Sequence, residues 1–146
     1  MTDVTLRPAT DSDEDVIRNC ITQAYAAAKR NIVDLPDVTS GIAEDIVAHE
    51  VIVAEVGSRV LGVVIFDVSA DAITVFNLAV SPKAQGLGLA RRLLDFVEST
   101  AVRRKRRVLR LRTHVEMAKT QAIYAHMGWI ETGRTGNSVL FEKQVS

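Results

Sequence analysis

The 146-residue sequence contains no second cysteine to pair with Cys20. No internal disulfide can form, and a lone thiol suits a reducing compartment. Neither sign of charge is in excess, since 18 Lys and Arg balance 18 Asp and Glu. That argues against a protein that holds nucleic acid through bulk positive charge. No apolar run approaches the roughly 20 residues that a helix needs to cross a bilayer. The opening Met-Thr-Asp lacks the basic-then-apolar order of a signal peptide, so a cytoplasmic location is expected. Internal repeats, linkers and low-complexity tracts are missing too. What remains is 47% apolar and 25% charged, enough to build a sizeable core and too apolar for disorder. Residues 1–146 have the length of one ordinary domain.

The stretch from Asn77 to Leu94 organises the chain. An apolar strand ends at Ser81-Pro82, a loop with Gly86 and Gly88 follows, and then a helix. Leu87, Ala90, Leu94, Val97 and Ala101 recur every three or four residues, which predicts that helix. At a helix start the first N–H groups lack partners and the dipole is positive. Glycine has no Cβ, so a phosphate can approach such a backbone closely. The stretch is a candidate pyrophosphate cradle, or else a tight turn that binds nothing. A P-loop is excluded, because Leu89-Ala90 follows Gly88 where Lys-Ser/Thr is needed. A dinucleotide fingerprint fits poorly. Arg91 stands where the third glycine belongs, and Arg110 and Arg112 stand where an acid is preferred.

Periodicity lays out the rest. Val4 to Arg7 alternates as a short strand before Pro8. Thr10, Asp11 and Ser12 offer helix caps, with Asp13, Glu14 and Asp15 in the first turn. Ile17, Cys20, Ile21, Ala24 and Ala28 form a helical stripe, and a second helix is expected from Thr39 or Ser40 towards His49. Val51–Val56 and Arg59–Val68 read as a hairpin around Gly57-Ser58. Ala72–Val80 is the central strand. The basic run Arg103 to Arg107 complements a helix C-terminus, a simpler account than a nucleic-acid patch on a neutral chain. Val108–Thr113 alternates as a strand, and Thr113-His114-Val115-Glu116 has the spacing of a capping box. The helix after it carries Met117, Ile123, Tyr124 and Met127, and Gly128 can end it. Trp129–Thr132 and Val139–Lys143 form a last hairpin. The expected fold is α/β (α+β), with a mixed, mostly antiparallel sheet of about seven strands flanked by about four helices.

Two segments carry a family resemblance. Lys83-Ala84-Gln85-Gly86-Leu87-Gly88, after Val80-Ser81-Pro82, resembles the loop Gln/Arg-x-x-Gly-x-Gly/Ala of the GNAT superfamily of acetyl-CoA-dependent N-acetyltransferases, with Lys83 where Gln or Arg is usual. Tyr124-Ala125-His126-Met127-Gly128-Trp129 resembles that family's Tyr-x-x-x-Gly-Phe/Trp element. The order of elements is also the layout of the GNAT fold.

The resemblance implies an N-acetyltransferase that moves acetyl from acetyl-CoA to a primary amine by direct attack. It implies no metal and no covalent enzyme intermediate. Backbone N–H groups of Gln85, Gly86, Leu87, Gly88, Leu89 and Ala90 would grip the pyrophosphate. Pantetheine would pair along Leu78, Ala79 and Val80, where a splay from the next parallel strand makes room. Lys83, Arg91 or Arg92 could meet the nucleotide phosphates, or could be a solvated face. Thr120 stands where relatives often have an asparagine touching pantetheine. Tyr124 would stand beside the thioester sulfur and serve the departing thiolate; its alternative is core packing. A main-chain N–H near Leu78 would hold the oxyanion.

The family's strand glutamate is missing, since Ala72 to Val80 holds no acid and Phe76 and Asn77 occupy its place. His114 is then the first candidate base and Glu116 the second; a solvated His114 at a helix entrance is the other reading. The connection from Tyr25 to Ser40 would wall the acceptor side. Asp34, Asp37, Glu44 and Asp45 would suit a cationic amine there, or be ordinary solvated acids. The acceptor would be a small-molecule amine or a protein N-terminus, with no nucleic-acid or membrane partner. Homodimers are common in the family, and nothing in the sequence shows one. The rival functions are a non-catalytic acyl-CoA-binding or sensing domain, and a protein-interaction domain whose glycine loop is only a turn.

Overall fold

The computed structural model describes residues 3–32, 41–84 and 86–145. Strand β1 (Val4–Pro8) leads through a short 3-10 turn into helix α1 (Glu14–Asn31). Helix α2 (Ile42–Ala48) precedes strands β2 (Glu50–Val56), β3 (Arg59–Val68) and β4 (Ala72–Val80). Helix α3 (Leu89–Arg103), strand β5 (Val108–His114), helix α4 (Ala118–His126) and strands β6 (Ile130–Thr135) and β7 (Ser138–Gln144) follow. The strands form one seven-stranded mixed sheet in the order β1-β2-β3-β4-β5-β7-β6. The seven strands and, among the described residues, four α-helices match the expected fold class. The Thr39 or Ser40 start expected for α2 lies outside the described residues.

The chain divides into two compact units, Met1–Phe66 with Asn77–Asp95, and Asp67–Phe76 with Phe96–Ser146. In the first, β1 pairs antiparallel with β2 from Val4↔Val56 to Pro8↔Ile52, and β2 pairs antiparallel with β3 from Glu50↔Phe66 to Val56↔Arg59. Successive side chains point to opposite faces of the sheet, and β2 and β3 bury both faces over most of their length. Val51, Val53, Val63 and Ile65 bury one face against Ile17, Cys20 and Ile21 of α1 and Ile42 of α2. On β3, Gly62 leaves room for α3, because a Cβ there would lie 3.1 Å from Leu93 Cδ1 and 3.4 Å from Leu89 Cδ1. The α3 stripe is therefore set differently from the expected one. The helix begins at Leu89; Leu89, Leu93, Leu94, Val97 and Ala101 are buried, while Leu87 precedes it and Ala90 is half-buried.

A polar clamp ties the start of α1 to the sheet. Arg7 donates to Asp13 through two nitrogens, at 2.8 and 2.9 Å, and to Glu55 Oε1 at 2.7 Å. Asp13 also accepts the Thr10 N–H at 2.8 Å. The guanidinium beside it holds the Asp13 carboxyl at about 2, below the ordinary 3.8. A carboxyl with a lowered folded-state pKa stabilises the fold above its unfolded pKa and loses that contribution as pH falls through the folded value. Asp13→Asn should therefore cost about 2 kcal/mol at neutral pH and flatten the fall in stability between about pH 4 and pH 2. Urea unfolding followed across that range checks both.

In the second unit, β4 runs parallel to β5 from Ala72↔Val108 to Val75↔Leu111. Strand β7 lies between β5 and β6 and pairs antiparallel with both. The basic run sits at the end of α3 as expected, with Lys105 at φ +59 and Arg106 Nε donating to Ser69 O at 2.6 Å. The capping box does not form. Strand β5 extends through His114, so Thr113 is held in the ladder opposite Val139 and cannot cap. Gln121 Nε2 instead reaches back to the carbonyls of His114 and Val115, at 3.2 and 2.8 Å, and fixes the entrance to α4. Of the apolar residues expected on that helix, Ile123 is exposed and Tyr124 is buried.

Candidate functional site

The glycine loop belongs to the first unit. Ser81 fixes its entrance: its N–H donates to Leu61 O at 2.8 Å, and its Oγ donates to Gln23 Oε1 at 2.9 Å and accepts the Lys83 N–H at 3.2 Å. Pro82–Ala84 then makes one 3-10 turn. Gly86 and Gly88 adopt φ +87 and +66, and a Cβ on either would meet nothing within 4 Å. Left-handed backbone, not crowding, demands glycine at both, and the space beside them is open. Arg92 N–H closes the first helical bond, to Gly88 O at 3.0 Å, so Gly88 caps α3. The N–H groups of Leu89, Ala90 and Arg91 precede that bond and have no carbonyl within the helix. They add to the positive end of the dipole, and the exposed Lys83, Arg91 and Arg92 add cations. Gln85 lies outside the described residues, as do Asp34 and Asp37 of the expected acceptor wall.

Strand β4 runs into this loop. Its last registered pair with β5 is Val75↔Leu111, and the strand continues to Val80. Among the described residues, Leu78, Ala79 and Val80 thus have no registered β5 partner. Ala79 is buried in the core, while Leu78 and Val80 are half-buried. The phenol of Tyr25, on α1, donates to Asn77 Oδ1 at 3.2 Å.

Tyr124 belongs to the second unit and is buried between two rings. Trp129 lies 5.8 Å away, centroid to centroid, and Phe141 5.9 Å, both tilted by about half a right angle, at 55° and 51°. Such tilted pairs are favourable for aromatic quadrupoles. Gly128 makes the first possible. At φ +94 it reverses the chain after α4, and Trp129 N–H donates to Tyr124 O at 3.0 Å. Thr120 sits one turn before Tyr124 and is half-buried. His114 ends β5, and its Nδ1 accepts the Glu116 N–H at 3.1 Å. That bond places the proton of the neutral ring on Nε2. Glu116 itself is exposed. Among the described residues, no group of three or more His, Cys, Asp or Glu could hold a metal ion, and no helix is long and apolar enough to cross a membrane.

Both glycine-bearing segments fall inside one family match. Residues 48–131 fit the model of the acetyltransferase (GNAT) domain. The chain belongs to the GNAT acetyltransferase family. Solved structures share this GNAT fold at low identity. The PaiA N-acetyltransferase of Thermoplasma acidophilum, in complex with coenzyme A, is 15% identical with a TM-score of 0.88, over 97% of this chain and 99% of that one. The ribosomal-protein-S18-alanine N-acetyltransferase of Escherichia coli is 19% identical with a TM-score of 0.81, over 99% and 95%. A GNAT family acetyltransferase of Elizabethkingia anophelis, with acetyl-CoA bound, is 15% identical with a TM-score of 0.73, over 97% and 98%. No curated protein matches the chain by sequence.

The sequence-predicted residues of this GNAT chain thus fall into two groups. Leu78 to Val80, Lys83 and Gly86 to Arg91 lie along β4, its loop and the start of α3. His114, Thr120 and Tyr124 lie on β5 and α4. Sequence reasoning named Ser81 only as part of the turn that ends β4 and Tyr25 only as the edge of the acceptor wall, and it missed Gln23. The bonds of Ser81 to Gln23 and of Tyr25 to Asn77 join residues far apart along the chain, which no local signal marks.

Proposed function

We propose that residues 1–146 work as one GNAT domain that transfers acetyl from acetyl-CoA to a primary amine by direct attack. The loop carries this reading: two left-handed glycines beside open space, followed by three helix-start N–H groups without helical partners. A pyrophosphate, anionic and rich in acceptors, suits such a place. The coenzyme A and acetyl-CoA in two relatives support a shared cosubstrate. Leu78, Ala79 and Val80 would pair with the pantetheine amides, Lys83 and Arg91 would meet nucleotide phosphates, and Thr120 Oγ would touch pantetheine.

In the reaction, the amine nitrogen bonds to the thioester carbonyl carbon and the C–S bond breaks. The departing thiolate takes the Tyr124 phenol proton, which solvent restores, and the amine releases its own proton. The Leu78 N–H would hold the oxyanion. Cys20 supports direct attack over a covalent relay. It is buried on α1, and burial pushes its thiol up to about 11, so it stays a poor nucleophile near neutrality. Its reduced, buried state also suits a cytoplasmic setting.

His114 is the proposed base for the amine proton, and to accept it Nδ1 must release the Glu116 N–H. His114→Ala should lower kcat/KM by about 10- to 100-fold. An unchanged kcat/KM would reassign the proton to Glu116 or to water. A non-catalytic acyl-CoA sensor is the second reading, favoured by the absence of any acid from Ala72 to Val80.

Calorimetric titration with acetyl-CoA, followed by a free-thiol assay against a panel of amines, tests the proposal. Binding with amine-dependent thiol release is the expected result. Binding without release on any amine would leave the sensor, and absence of binding would overturn both.

A further inference from the structure

Successive side chains of a strand point to opposite faces of the sheet. On β4, Asn77 and Ala79 share one face, and Ser81 continues it into the loop. Ala79 packs with Ile17, Cys20 and Ile21 of α1, Ser81 Oγ bonds Gln23, and Asn77 Oδ1 accepts the Tyr25 O–H. All of these residues lie in the first unit. Burial pushes the Tyr25 phenol above its usual range, so near neutrality it is a donor. With Oδ1 committed to Tyr25, the Asn77 amide turns Nδ2 and its two N–H bonds away from that ring. Asn77 is half-buried, and no buried side-chain nitrogen or oxygen lacks a partner among the described residues. Nδ2 has no partner among those described, so it reaches solvent.

We infer that Asn77, oriented by Tyr25, donates to an oxygen beside the attacking nitrogen, and that the acceptor is an α-amino carbonyl compound rather than a plain alkylamine. This rests on the acetyl-transfer reading above. The side chain next to Leu78, in the place the sequence gives to an amide instead of an acid, can donate a hydrogen bond but cannot take up a proton. It would complement a carbonyl or carboxylate oxygen and leave an ammonium group unmatched. The missing acid points the same way. An α-amine titrates near ~8 and is partly neutral at pH 7.5 without a strong base, whereas a lysine-type amine near ~10.4 is almost wholly charged. One substitution thus withholds a base and supplies a donor, and an α-amine beside a carbonyl answers both.

The test compares kcat/KM for alaninamide, alanine and propylamine in the wild type and in Asn77→Ala, Asn77→Ser and Tyr25→Phe, each first shown by calorimetry to bind acetyl-CoA. The wild type should prefer an α-amine to propylamine, and alanine against alaninamide tells a carboxylate from a neutral carbonyl. Asn77→Ala should lose about tenfold on the preferred α-amine, mostly through KM, with propylamine unchanged. Asn77→Ser keeps a donor and should recover part of that loss. Tyr25→Phe should lose about threefold in the same pattern, since it frees the amide to rotate. Equal losses on all three amines, or none, would overturn the inference. Wild-type turnover of propylamine with neither α-amine would overturn it and leave the acetyltransferase reading standing. Thiol release with no amine at all would remove both.

Discussion

Gly86→Glu should abolish acetyl-CoA binding in a protein that still folds. Gly86 stands at φ +87, where an L-residue costs about 1–2 kcal/mol, and a Cβ there meets nothing within 4 Å. The fold therefore bears a local strain but no clash. The added carboxylate would enter the open space proposed for the pyrophosphate, where like charges cost several kcal/mol, or at least about 100-fold in Kd. Gly86→Ala separates the two effects. It carries the backbone strain without the charge and should weaken binding by no more than about tenfold. Calorimetry with acetyl-CoA and thermal unfolding of both variants provide the readouts. Equal, mild losses in both would mean that no anion sits at the loop.

Tyr124→Phe should lower kcat by roughly 100-fold while leaving acetyl-CoA affinity nearly unchanged. The ring fills a buried place between Trp129 and Phe141, and phenylalanine keeps that packing. What is lost is the phenolic proton that the proposed chemistry gives to the leaving sulfur. The defect should shrink with an acetyl thioester whose thiol is more acidic, because that thiolate leaves without needing a proton. A variant as fast as the wild type would make Tyr124 a packing residue. The Tyr-x-x-x-Gly-Trp spacing would then be explained wholly by the Gly128 turn that lays Trp129 on the ring.

Much of the molecule was legible in the sequence because its signals are local. Apolar, β-branched runs punctuated by turns marked β2, β3 and β4, and their bounds differ from the expected ones by a residue at most. The glycine pair foretold a strand-to-helix turn, and its left-handed φ values suit residues that adopt them without the cost a Cβ brings. Local signals also misled. The spacing of Thr113 and Glu116 is right for a capping box, but spacing does not reveal that β5 keeps Thr113 in its ladder with β7. The apolar stripe of α3 was read about the wrong start, because Leu87 belongs to the loop and the helix begins at Leu89.

By itself, then, the sequence determined the α/β pattern, the glycine loop and the Tyr124-to-Trp129 element. Each depends on neighbours within a few residues, where periodicity and backbone preference act. Only the tertiary structure decided that β7 lies between β5 and β6, that registered β4–β5 pairing stops at Val75, and that α1 supplies partners to β4 and its loop. Tyr25 and Asn77 are 52 residues apart, and Gln23 and Ser81 are 58 apart. Such bonds form because the core of Ile17, Cys20, Ile21 and Ala79 brings helix and strand together. Burial then requires their polar groups to find each other, a constraint that no spacing along the chain records.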